Sequence, residues 1–227
     1  AQKQLIENTY EYLKYLATVP ELQSPSSPVC GEFLAKILKL NTTYINLGVP
    51  KSDGDLLCNA LPLSKRINVY DRAYFQRSLN EKRFAIGTYQ LDRAALKSSV
   101  NFSYPVISSQ KNVIGVVVAV ISLDWWSHLL SEYRLPDDSI AFISDEDGAI
   151  VANFPVDFTV HGQRTDSYGV QLDTSKIYDL ESGIIRSQDG ISRIYIHQNL
   201  YTTDDGRNVT VSVGIPLNKA LSQANEE

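Results

Sequence analysis

The residues best suited to holding a ligand are Asp71-Arg72-Ala73-Tyr74-Phe75. An arginine guanidinium offers five donors in a planar fork that pairs bidentately with a carboxylate. Tyr74 and Phe75 can add apolar walls, and Tyr74 a hydroxyl. The chemistry would be capture of a small anion. A partly exposed arginine on a loop with two core aromatics behind it explains the same residues, and on residue types alone it is the more economical reading. Tyr89, Ser103 and Tyr104 are further hydroxyl-bearing candidates on strand-like runs, where tyrosine and serine are also common without any ligand. Lys97 could put a second cation at a pocket mouth, but an ordinary solvated lysine accounts for it.

Catalytic and metal chemistry find little support. His128, His161 and His197 are scattered, without the close helical pairing of metal ligands, and His128 beside Trp125 and Trp126 suits a helix surface or interface. There is no Gly-x-Ser-x-Gly and no Gly-x-x-x-x-Gly-Lys, and the Asp-Gly pairs read as turns. A calcium loop started at Asp145, Asp147 and Gly148 lacks its terminal glutamate. No enzyme activity, metal or cofactor is therefore expected. A net charge of −5, from 21 basic and 26 acidic residues mixed along the chain, argues against nucleic acid as a partner. Cys30 and Cys58 can pair in one way only. Two buried free thiols are the alternative, but a disulfide is favoured because Cys30 precedes a helix and Cys58 ends a strand close by. A disulfide would put the chain outside the cytoplasm.

These residues need elements to position them. The chain has 227 residues, 43% of them hydrophobic, which suffices for one large domain or two ordinary ones. Its longest apolar run, 113–121, is strand-sized and too short to span a bilayer. Without methionine or a signal peptide, it reads as a piece of a longer protein. Leu5, Ile6, Thr9, Tyr12, Leu13 and Leu16 form a stripe that predicts an opening helix of about 18 residues. A breaker-rich loop with Pro20, Pro25 and Pro28 follows, then a second helix from Gly31 or Glu32 to about Leu40.

Beyond that point the pattern repeats. Strand-like 43–49 and 56–58 flank Asp53-Gly54, and 140–144 and 149–152 flank Asp147-Gly148, an offset of 94 residues. The later hairpins turn at Lys111-Asn112 and Asp205-Gly206, again 94 apart, and Ile121-Ser122-Leu123 falls on Ile215-Pro216-Leu217 at the same offset. Third strands are expected over 84–89 and 183–187, the latter turning at Asp189-Gly190. The registers agree on a duplicated unit: strand, strand, a helix-and-loop insertion, three strands. The expected fold is α+β, a long N-terminal helix followed by two tandem PAS-like antiparallel sheets. The run 113–121 is apolar on both faces, so both should be covered. In 209–215, valines and isoleucine alternate with Thr210, Ser212 and Gly214, so one face should be more polar or open, and the first sheet should have the deeper pocket.

Over essentially its whole length the chain resembles the double Cache sensor domains of prokaryotic transmembrane receptors. The resemblance is carried by the order and spacing of Asp53-Gly54-Asp55-Leu56-Leu57-Cys58, Val69-Tyr70-Asp71-Arg72-Ala73-Tyr74-Phe75, Phe84-Ala85-Ile86-Gly87-Thr88-Tyr89, Ser103-Tyr104-Pro105-Val106, the run 115–126, and Leu135-Pro136 followed by 140–151. It implies a helical region over 1–40, a membrane-distal domain over 41–134, a proximal domain over 135–216, and a tail over 217–227 leading to a transmembrane helix. It also implies the periplasmic or extracellular part of a membrane-anchored receptor, with a histidine kinase or diguanylate cyclase favoured over a chemoreceptor as parent. A homodimer through the N-terminal helix is a further expectation.

By the same resemblance Arg72, Tyr74, Phe75, Tyr89, Ser103 and Val120 are the ligand-binding residues. Amino-acid-binding relatives add Trp and Tyr after the arginine and an aspartate on the last strand. Here Tyr74-Phe75 and Val120 stand instead. An ammonium buried against valine lacks a counter-charge, so a carboxylate or another small polar metabolite is expected rather than a free amino acid. Two other readings stay open: a structural dimerisation module without ligand, and a cytosolic PAS protein carrying haem or flavin.

Overall fold

The computed structural model describes residues 2–25, 28–165, 183–187, 189–203 and 206–224. The chain divides into two compact units, Lys3–Ser122 and Leu123–Glu227. This division falls earlier in the chain than the end of the distal domain at 134.

The first unit opens with α1 (Gln2–Leu16). Leu5, Ile6, Thr9, Leu13 and Leu16 are buried, the three- and four-residue spacing of a single helical face. Tyr12 stacks on Tyr44 at 5.4 Å, and the Thr9 and Tyr44 hydroxyls bond at 3.1 Å. The second helix, α2 (Pro28–Leu38), starts earlier than expected, because Pro28 sits at its first position. There a proline's missing N–H is no loss and its fixed φ is already helical.

The first sheet contains β1 (Asn46–Val49), β2 (Cys58–Asn59), β3 (Ala85–Ile86), β4 (Gln90–Leu91), β5 (Ser98–Ile107) and β6 (Val113–Ser122). Its order is β2-β1-β6-β5-β3, with β4 also on β5. The strand expected over 84–89 is two short pieces that break at Gly87. Its N–H bonds the Asn101 carbonyl at 2.8 Å, and an added Cβ would come within 3.2 Å of Tyr74 Cβ. The strand expected over 56–58 is shifted too: only Cys58–Asn59 pairs with β1, while the Leu56 N–H bonds Ile67 O. Gly54 turns the chain at φ +84°, where a Cβ would sit 2.6 Å from Tyr70 N.

Both faces of β6 are covered. Val116, Val118 and Val120 pack with Tyr74 and Phe75 of α3 (Ala73–Glu81), while Val117, Ala119 and Ile121 alternate to the other side and are also buried. That second side carries Phe102 and Tyr104 of β5. Tyr10 of α1 meets Phe84 edge-on at 5.3 Å and lies 6.0 Å from Tyr104.

The second unit repeats the plan. It comprises α4 (Leu123–Ser131), β7 (Ile140–Ser144), β8 (Ile150–Phe154), β9 (Gly183–Arg186), β10 (Ser192–Thr202), β11 (Asn208–Pro216) and α5 (Leu217–Ala224). Its sheet order, β8-β7-β11-β10-β9, is that of the first. Elements beginning at Asn46, Ser98 and Leu123 recur at Ile140, Ser192 and Leu217, each 94 residues later. Three expected features fall partly outside the described residues: the insertion of the second unit, where 166–182 are not described, Asp205 of the last hairpin turn, and the tail after Ala224. Contrary to the expected open face, Thr210 and Ser212 of β11 are fully buried. They escape the penalty for buried hydroxyls because Thr210 bonds Asn199 at 3.2 Å and Ser212 bonds His197 Nδ1 at 2.8 Å.

Arg193 of β10 is 1% exposed. Its guanidinium donates to Asp189 Oδ1 at 2.9 Å and Oδ2 at 2.6 Å, and Nε donates to the Asp138 carbonyl at 2.9 Å. Those bonds from Arg193 hold the Asp189 carboxyl below its ordinary range. With the folded value below the unfolded one, the pair's stabilisation is complete above about pH 4 and disappears as pH falls through the folded value. Asp189→Asn is expected to cost about 2 kcal/mol at pH 7, less than a fully buried pair because the carboxylate is half exposed. Urea titrations at several pH values check this: the difference between wild type and D189N should shrink in acid, and a constant difference would exclude the linkage.

Candidate ligand-binding site

A polar row crosses the first sheet on the side facing α3. Asn46 of β1 is opposite Val120 of β6, which is opposite Asn101 of β5. These three residues floor a cavity whose walls include Asn59, Arg72, Tyr74, Gln90, Asp92 and Arg93. Its free volume is about 20 Å³, room for about one water. This corrects the expectation of a deeper pocket in the first sheet, since a cavity of about 390 Å³ lies in the second unit. The first cavity is narrow because long side chains of α3 and of the 90–94 segment pack down onto the floor.

The walls divide by charge. On one side Arg72 is the N-cap residue of α3, and its side chain makes no capping bond. Its guanidinium donates to the Leu91 carbonyl at 3.2 Å and pairs with no carboxylate among the described residues. The neighbouring Arg93 is committed elsewhere: it forks onto Asp71 at 2.6 and 2.7 Å and donates to Asn68 O at 2.6 Å. Those bonds hold the Asp71 carboxyl below the usual carboxylate range. Arg72 is thus the cation left to meet an anion.

The same lining holds acceptors. Asp92 is 7% exposed. Its Oδ1 accepts from the Ala94 and Ala95 N–H groups at 3.0 and 2.7 Å, and Oδ2 accepts from Asn101 Nδ2 at 3.0 Å. Ser99 Oγ donates to Asn101 Oδ1 at 2.8 Å, so Asn101 is held in place from two sides. Asn46 Nδ2 donates to Asn59 Oδ1 at 2.9 Å, but Asn46 Oδ1 is buried with no donor. A buried acceptor without a partner is costly unless something in the cavity supplies a hydrogen. Between the poles lies Tyr74, whose phenol burial pushes far above its ordinary pKa, with the bond to Asn101 opposing. Tyr74 therefore stays protonated.

Of the residues expected at the site, Arg72, Tyr74 and Val120 line the cavity, and Phe75, Tyr89 and Ser103 do not. Phe75 lies in the apolar cluster beneath α3. Ser103 Oγ donates to Tyr74 O at 2.9 Å and Ala85 O at 3.3 Å, tying α3 to the sheet. Tyr89 is 37% exposed and off the cavity wall. Asp92, Asn46 and Asn101 were not among the candidates. The legible signal was asparagine at inward positions of the otherwise apolar runs around β1 and β5, where an amide needs a reason to be buried.

Cys30 and Cys58 form a disulfide that joins α2 to β2, with both cysteines fully buried. The strand it holds carries Asn59, the acceptor for Asn46. Among the described residues no helix is long and apolar enough to cross a membrane.

No family model matches the sequence. Sporulation kinase D of Bacillus subtilis (strain 168) is 24% identical over 118 residues, 52% of this chain, and the match covers 23% of that kinase. Among solved structures, the extracellular domain of a protein described as the histidine kinase rpHK1S-Z16 superposes with a TM-score of 0.76 at 16% identity, covering 97% of this chain and 90% of that one. The ligand-binding domain of the Pseudomonas fluorescens chemoreceptor CtaA, in complex with L-serine, gives 0.74 at 14% identity and 95% and 91% coverage. That of the Pseudomonas aeruginosa PAO1 amino acid chemoreceptor PctB, in complex with L-Arg, gives 0.73 at 16% identity and 96% and 90% coverage. These are binding and sensing domains, not catalytic ones. With a helix and two like-ordered antiparallel sheets, the chain has the α+β fold of these extracellular and ligand-binding domains of histidine kinases and chemoreceptors.

Proposed function

We propose that the chain is the extracytoplasmic sensing region of a membrane-anchored signalling receptor, and that its first unit binds a free α-amino acid. The observation that carries this reading is the presence of opposite poles in one cavity wall: Arg72, which has no carboxylate partner among the described residues, shares the lining with the buried carboxylate of Asp92 and the donorless Asn46 Oδ1. A zwitterion matches both poles. A simple carboxylate would leave Asn46 Oδ1 without a donor and Asp92 without a counter-charge, and a simple amine would leave the guanidinium without an anion. The objection from Val120 loses its force, because Asp92 supplies the counter-charge that the β6 position lacks. The amino acids held by CtaA and PctB agree with this choice.

About 20 Å³ does not admit an amino acid, so binding must part the Arg72–Tyr74 and Gln90–Ala94 walls from the floor. Occupancy and wall position are then linked: ligand selects the parted state, and α3 moves with its N-terminal residues. A disulfide fits an oxidising compartment, and a kinase output is favoured by the likeness to sporulation kinase D. Calorimetry with the common L-amino acids, each against its 2-hydroxy acid and its decarboxylated amine, tests the reading. The preferred amino acid should bind at least roughly 30-fold more tightly than either analogue. Equal affinity for the hydroxy acid would overturn the zwitterion and leave a carboxylate ligand.

A further inference from the structure

A cavity larger than the one at that site lies elsewhere. It lies within the second unit, measures about 390 Å³, and is walled by Ile140, Ala141 and Phe142 of β7, Ile150 and Phe154 of β8, and Val160. That is the size of ordinary small-molecule pockets. We propose that it is a second ligand site, for a compact apolar molecule carrying a primary amine.

Two observations choose the headgroup. Asn153 lies in the cavity wall and is nine-tenths buried; its Nδ2 donates to Pro155 O at 2.7 Å and its N–H donates to Ser127 Oγ at 3.2 Å. Its Oδ1 is buried without a donor. A ligand N–H that reaches this oxygen from the cavity would satisfy it. Second, the charged groups in the wall are carboxylates. Asp157 accepts from the Thr159 N–H and hydroxyl at 2.9 and 2.6 Å, and Asp189 is forked by Arg193. No lysine, arginine or histidine is among the described wall residues. Arg193 neutralises Asp189, so the uncompensated charge among the described wall residues is the exposed Asp157 carboxylate, which disfavours an anion and favours an ammonium. This polarity is the reverse of the Arg72 side of the first cavity, so the two sites would not compete for one ligand class.

Three probes of one shape test the proposal: phenethylamine, 2-phenylethanol and phenylacetate, titrated into isotopically labelled protein while backbone amide shifts are followed. The expected result is saturable movement of amides in 140–144 and 150–160, with phenethylamine at least tenfold tighter than phenylacetate and the alcohol between. Ile140→Trp, which adds bulk on the face of β7 that Ile140 shares with Phe142, should abolish the response to all three. Asn153→Leu should leave binding of the alcohol within a few-fold and collapse the preference for the amine. Should I140W fail to fold, N153L carries the test alone. Absence of saturable shifts in these strands, or phenylacetate binding as well as phenethylamine, would overturn the proposal.

Discussion

Arg72→Ala is expected to weaken binding of the preferred amino acid by about 30- to 1,000-fold while leaving thermal stability nearly unchanged. The two effects separate because, among the described residues, the side chain's one hydrogen bond is the 3.2 Å contact with Leu91 O. Truncating such a partly exposed residue usually shifts stability by less than about 0.5 kcal/mol. In the complex the same guanidinium would hold a carboxylate through paired charge-assisted bonds, and losing one partner of such a pair typically costs about 2–5 kcal/mol. Arg93→Ala should behave in the opposite way, lowering stability more than affinity, because Arg93 is spent on Asp71 and Asn68.

Asp92→Asn completes the dissection. The asparagine oxygen can still accept from the Ala94 and Ala95 N–H groups, so the turn should persist while the charge is removed. A loss of at least about tenfold for the amino acid, with no loss for its 2-hydroxy acid, is expected. Unchanged binding in R72A, measured by calorimetry, would remove Arg72 from the site. Loss in R72A with none in D92N would mean that the ligand has no ammonium.

The second large effect concerns the disulfide. Removing the Cys30–Cys58 link, as the Cys30→Ala, Cys58→Ala pair, is expected to destabilise the first unit by about 3.5 kcal/mol, the chain-entropy value for its separation of 28 residues. For a unit of this size that is a fall in Tm of roughly 10 °C. The effect should reach the ligand as well. Cys58 is paired with Val49, and Asn59 beside it with Gly48, so a loosened β2 frees Asn59 Oδ1 from Asn46 and blurs the cavity floor. Calorimetric melting of wild type and variant under identical buffer checks the first part, and amino-acid affinity of the folded variant checks the second. A Tm change below about 2 °C would show that the packing of α2 on β2 holds without the bond.

What the sequence determined by itself was periodic and local. The continuous apolar run 113–121 set a strand buried on both faces. Asp-Gly pairs located turns at Gly54 and Gly148, which take φ +84° and +78° because only glycine enters that region freely. The 94-residue offset exposed the duplication. Such features repeat in one dimension and need no knowledge of distant neighbours. Even so, Pro28 opened a helix rather than a loop, because a first-turn proline loses no bond, and Gly87 split a strand, because Tyr74 packs against it.

Only the tertiary structure decided which residues meet. Arg72 and Arg93 look alike in sequence, yet one is spent on Asp71 and the other faces a cavity, a difference set by folding the 90–94 segment over α3. Phe75 and Tyr89 were plausible walls by type, but one turned into the core and the other outward. Asp92 and Asn46 are far apart along the chain and adjacent only because β1, β6 and β5 lie side by side. Cavity volume was the least legible property. Alternating Thr210, Ser212 and Gly214 suggested an open second sheet, whereas that face is closed and the large cavity opens against β7 and β8. Volume is the small difference between how side chains from several elements fill one space, and no single stretch of sequence encodes it.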